Sequence, residues 1–65
     1  MKIWKVSEII KAIEKIGWFL FRIRGDHRQF KHNERKGKVT VPGKLSDDLA
    51  PNTAKSILRQ AGLKE

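Results

Sequence analysis

His27 stands at the end of a short Arg24, Gly25, Asp26 turn, inside a stretch from Arg22 to Lys44 that carries eight Lys or Arg residues against two acids. An imidazole exchanges protons near neutral pH, and a cationic field attracts phosphate. Together they are the minimum equipment for cleaving RNA without a metal: a base for the proton of a 2′-hydroxyl, and positive charge for the phosphoryl oxygens.

The other titratable residues do not assemble into a rival chemistry. His32 lies five residues beyond His27, which on a strand puts the two rings on opposite faces, so they are not expected to share a metal. Asp47 and Asp48 are adjacent in a segment that reads as a loop, and no His-x-x-x-His or clustered-acid pattern occurs. With no cysteine, thiolate sites and disulfides are excluded. The expectation is metal-free chemistry with no cofactor.

Sixty-five residues allow one small domain, taken as residues 1–65, with one modest core. The net charge is +8, and the Arg22 to Lys44 stretch alone contributes +6 of it. Such a field implies a polyanionic partner, either nucleic acid or an acidic protein that imitates it. Lys2 and Lys5 precede no apolar run long enough for a secretory signal, and no stretch approaches a membrane span. A soluble cytoplasmic protein is expected.

The elements that must position His27 follow from periodicity. Ser7 reads as an N-cap, and Val6, Ile9, Ile10, Ile13 and Ile16 recur at helical spacing until Gly17 stops the helix. Trp18 to Arg24 is aromatic and β-branched, while His27 to His32 and Lys38 to Val41 alternate polar with apolar, which predicts three strands closed by Pro42 and Gly43. Lys44 to Ala50 reads as a loop. Pro51 then opens a second helix to about Ala61, with Ala54, Ile57, Leu58 and Ala61 as its buried stripe and Gly62 as its stop.

Gly25 in the first position of a two-residue turn suits a type II′ hairpin, which sets Arg24 opposite His27. Arg22 then faces Gln29, Ile23 faces Arg28 and Phe21 faces Phe30. Phe19, Phe21, Ile23 and Phe30 would share the face that carries the helices, with Arg28 near its rim. Asn33 to Lys36 form the next loop, and Val39 pairs with Phe30. The open face collects Arg22, Arg24, His27, Gln29, Lys31, Lys38 and Thr40, with Arg22, Arg24, Gln29, Lys31 and Lys38 as candidate RNA ligands around a catalytic His27.

These residues resemble a known family. The run Gly25, Asp26, His27, Arg28, Gln29, Phe30, the strand Val39, Thr40, Val41 closed by Pro42, and the closing run Ser56 to Leu63 are similar to the HicA family of mRNA interferase toxins. The order and spacing of these pieces span nearly the whole chain. The resemblance implies an α+β fold like that of the double-stranded-RNA-binding domain, in the order α-β-β-β-α, with a three-stranded antiparallel sheet and two helices on one face. It implies an endoribonuclease acting on mRNA, a catalytic histidine at His27, and a HicB-type antitoxin that masks the site and links the toxin to DNA only indirectly.

Family members often carry serine between the glycine and the histidine, where this chain has Asp26. The expectation is that Asp26 faces the turn backbone, as aspartate commonly does in turns, and leaves phosphate to Arg22, Arg24 and Lys31. Two other classes share the charge pattern. A small RNA-binding module without catalysis would tolerate loss of His27, and a protein-docking module would have no affinity for RNA.

Overall fold

Helix α1 (Val6–Glu14) has Lys5 as its N-cap residue, two positions before the expected Ser7 cap. The loop from Lys44 to Asp48 explains the correction. Val6 N–H donates to Asp47 O at 2.9 Å and Ser7 N–H to Leu45 O at 3.1 Å, so backbone carbonyls satisfy the first free amides of a helix that already includes Ser7, and Ile9 N–H is taken by Lys5 O at 3.0 Å. The Glu8 carboxylate reaches back to accept the Lys5 N–H at 2.9 Å, and Lys5 Nζ meets Asp48 at 3.3 Å. At the other end Gly17, at φ +102°, lets its own N–H reach Glu14 O and the Trp18 N–H reach Ile13 O. Ile16 therefore falls beyond the helix and is exposed rather than part of the buried stripe.

The computed structural model describes residues 2–63. Three antiparallel strands follow α1: β1 (Phe19–Arg24), β2 (His27–Lys31) and β3 (Val39–Pro42), in the spatial order β1-β2-β3. Helix α2 (Pro51–Ala61) closes the chain with Pro51 at its start and Gly62 as its C-terminal cap, as the sequence indicates. The fold is α+β in the order α-β-β-β-α. Trp18 stands before β1 as a buried core residue whose Nε1–H donates to Ala61 O at 3.0 Å, tying the chain between α1 and the sheet to the end of α2. Pro42 is the last residue of β3 rather than a residue outside it, and Lys38 precedes the strand.

Val6, Ile9 and Ile13 of α1, Ala54, Ile57, Leu58 and Ala61 of α2, and Phe30, Val39 and Val41 of the sheet form the core, with Trp18 and Leu49. Both helices pack over β3. Strand β1 consequently pairs with β2 but has little above it, and Phe19, Leu20 and Ile23 are 43%, 42% and 56% exposed.

The register matches expectation only as far as Arg22. Arg24 pairs with His27, Ile23 with Arg28 and Arg22 with Gln29, but the next pair is Leu20 with Phe30 and then Phe19 with Lys31. Phe21 is the extra residue of a β-bulge, so the proposed Phe21–Phe30 pair does not form. One inserted residue inverts the parity of the strand before it. Leu20 takes the helix-side position beside Phe30, while Phe19 pairs with Lys31 on the open side, and the expected core set of Phe19, Phe21 and Ile23 is not buried. Across β2 and β3 the expected pairing of Phe30 with Val39 holds. Arg28 lies at the rim as anticipated, partly buried, its Nη1 donating to Gly43 O at 2.9 Å.

Gly17 meets two demands at once. Its φ is in the left-handed region, and a Cβ there would sit 2.7 Å from His32 Nε2. Gly17→Ala is expected to lower stability by about 1–3 kcal/mol, measured by urea unfolding; an unchanged midpoint would show that the end of α1 tolerates a side chain.

Candidate active site

The hairpin that carries His27 is built by its turn. Gly25 has φ +60° while Asp26 has no positive φ, the pattern of a type II′ turn, whose twist matches that of the flanking strands. His27 is thereby the first residue of β2, between Arg24 on β1 and Pro42 on β3. Strand alternation from the buried Phe30 puts His27, Gln29 and Lys31 on the face away from the helices. Their partners Arg22, Arg24 and Thr40 share that face.

Asp26 does not face the turn backbone as expected. Its Oδ1 lies 3.0 Å from His27 Nδ1, and both side chains are exposed. A carboxylate only accepts, so this contact favours the proton on Nδ1 and leaves the Nε2 lone pair available in the neutral ring. The aspartate thus orients the imidazole instead of standing apart from it.

Phe21 is the residue that strand alternation alone misplaces. The bulge delivers its ring to the cationic side, where Lys31 Nζ is 4.6 Å, Arg22 Cζ 5.8 Å and Lys38 Nζ 6.0 Å from the ring centroid. Three of the five candidate RNA ligands therefore gather around one aromatic face. Arg24 is exposed beside His27, whereas Gln29 is half-buried with its Oε1 enclosed and lacking a hydrogen-bond donor.

His27 also borders a groove of about 510 Å³. Lys38, Thr40 and Pro42 continue its sheet side, and Asn52, Thr53, Ser56 and Gln60 line its α2 side. The positions 52, 56 and 60 fall on one helical stripe, a signal present in the sequence. What periodicity does not convey is that α2 lies along β3 and turns this stripe toward His27.

His32 has a different occupation. Its Nε2–H donates to Ile16 O at 2.7 Å, its Nδ1 accepts from Glu34 N–H at 3.0 Å, and its ring meets Trp18 edge-on at 5.2 Å. Nε2 holds the end of β2 against the end of α1, and Nδ1 holds the turn that leaves β2. Among the described residues no three His, Cys, Asp or Glu side chains converge as metal ligands, and no helix is long and apolar enough to cross a membrane.

The family model described as HicA toxin of bacterial toxin-antitoxin matches residues 6–63. No curated protein matches the chain.

The Asp26 contact makes a prediction independent of function. In the neutral ring, ¹⁵N-resolved NMR is expected to find His27 mainly in the Nδ1–H form, and Asp26→Ala is expected to shift it toward Nε2–H. Identical tautomer populations in the two proteins would mean that Asp26 does not orient the ring.

Proposed function

The chain belongs to the HicA family of toxins of bacterial toxin-antitoxin systems, and from that premise we propose that it is an endoribonuclease that cleaves mRNA with His27 as the catalytic base. The observation that carries this reading is the placement of the His27 imidazole, with Nδ1 held by Asp26 and Nε2 available, between an exposed cationic face and a groove. Residues 1–65 act as one HicA-like RNA-binding and ribonuclease domain.

RNA supplies its own nucleophile. His27 Nε2 removes the proton of a 2′-hydroxyl, the 2′-oxygen attacks the adjacent phosphorus, and the bond to the 5′-oxygen breaks. Arg24 beside His27 and Lys38 at the groove edge stabilise the added charge on the phosphoryl oxygens. The leaving 5′-oxygen takes a proton from water, from a lysine, or from His27 acting in turn. None of these steps calls for a metal ion, which accords with a site built from an imidazole and cations.

Binding and chemistry are divided over the face. Arg22, Lys31 and Lys38 bind phosphate, and Phe21 among them offers an apolar ring on which a base can stack. Gln29 lines the same face beneath the strand. The antitoxin partner that membership of a toxin-antitoxin family implies is of the HicB type; it masks the His27 face with acidic or bulky groups, and any contact of the toxin with DNA runs through it. The toxin acts on cytoplasmic mRNA.

His27→Ala is expected to reduce cleavage of a defined RNA in chelator by about 10²- to 10⁴-fold while leaving RNA affinity and the unfolding midpoint near wild type. Cleavage at the wild-type rate would turn the reading toward a non-catalytic RNA-binding module of this fold. Lys31→Ala with Lys38→Ala is expected to weaken single-strand binding and to reduce the slope of log K against log salt by about 1.4. A slope unchanged by the double substitution would remove these lysines from the phosphate path.

A further inference from the structure

The groove beside His27 has two walls of different chemistry. On the sheet side His27 and Lys38 provide a proton-transfer group and a positive charge, with Pro42 beside His27 giving an apolar surface. On the α2 side the stripe is neutral and polar: Asn52 and Gln60 are exposed and Ser56 half-buried. Ammonium and guanidinium groups suit phosphate, whereas amides and hydroxyls both donate and accept in fixed directions, as recognition of a base edge requires. The groove volume of about 510 Å³ falls in the range of sites for small molecules. It suits one nucleoside better than a duplex, whose bases are stacked and paired away from such a cleft.

We propose that this groove is a nucleobase subsite, which takes one unstacked base of single-stranded RNA adjoining the phosphate at His27 and reads its edge with Asn52, Ser56 and Gln60. The base lies over Pro42, and its phosphate reaches Lys38 at the groove edge. Because Lys38 also stands 6.0 Å from the Phe21 ring centroid, the same lysine joins the groove to the cationic face on which the strand continues. Cleavage sites are then chosen partly by α2, a helix that contributes nothing to the proton transfer. The identity of the ligand as RNA rests on the ribonuclease reading; the two are separable by experiment.

The direct test is an NMR titration of the full chain with a 2′-fluoro RNA hexamer, which lacks the attacking hydroxyl, and with the same hexamer bearing one abasic position. The side-chain amide signals of Asn52 and Gln60 are expected to move with the intact hexamer and to move clearly less with the abasic one. Signals that stay still with both, or move equally with both, overturn the subsite. A second measurement compares cleavage rates on RNAs that differ only in the base next to the cut. Asn52→Ala with Gln60→Ala is expected to narrow the spread of rates by about tenfold, and an unchanged spread overturns the proposal. If the wild-type chain cleaves none of these RNAs, the ribonuclease reading fails, and the titration alone decides the subsite.

Discussion

Burial of Phe30 at the centre of β2 is the constraint on which both faces of the sheet depend. At 1% exposure it sits between Leu20 and Val39 beneath the helices. Moving β2 by one residue would expose it, at a cost of about 1.5–3 kcal/mol for the side chain alone, and would turn His27 and Lys31 toward the apolar side. The position of the catalytic candidate is thus set by a hydrophobic residue three places along the chain. In a domain this small, with no disulfide to hold it, such a penalty is a substantial fraction of the total stability.

The second consequence of that anchor is electrostatic. Once Phe30 is in, Gln29 and Lys31 are out, and the bulge in β1 adds Phe21 to their side, so cations surround an aromatic ring rather than one another alone. Like charges gathered on one face repel, and the chain tolerates this because its side chains remain in water, where screening is strong. Arg28, whose place in β2 directs it to the helix side, avoids isolation by donating to Gly43 O. A surface with this much unneutralised charge is suited to a polyanion, and it also explains how an acidic partner could compete for it.

Much of this was legible in the sequence because strong local signals agreed. Gly25 before Asp26 specified the turn, and Pro51 with Gly62 bounded α2, since each exploits a backbone preference that needs no tertiary context. His27 and its neighbours Arg22, Arg24, Gln29, Lys31 and Thr40 landed on a common face by alternation from Phe30. The bulge was not legible, because Phe19, Leu20 and Phe21 are all apolar and no alternation marks which one is supernumerary. Ser7 misled for a related reason: the carbonyls that let the helix start before it come from Leu45 and Asp47, far along the chain. Asp26 required side-chain geometry, and the α2 wall of the groove required knowing which strand the helix lies along.

The proposed chemistry joins these parts in a single act: a face fixed by Phe30 presents an imidazole, Asp26 sets its free nitrogen, and the RNA supplies the nucleophile. A mechanism of this kind depends on the 2′-hydroxyl at the cut site and leaves a recognisable end. The most direct measurement is therefore the product chemistry on a defined RNA and on its copy with a single 2′-deoxy nucleotide at that site. The account predicts a 2′,3′-cyclic phosphate and a 5′-hydroxyl from the RNA, with no cut at the 2′-deoxy position. Cleavage of the 2′-deoxy copy at the same place, or a 5′-phosphate end from the RNA, would contradict it.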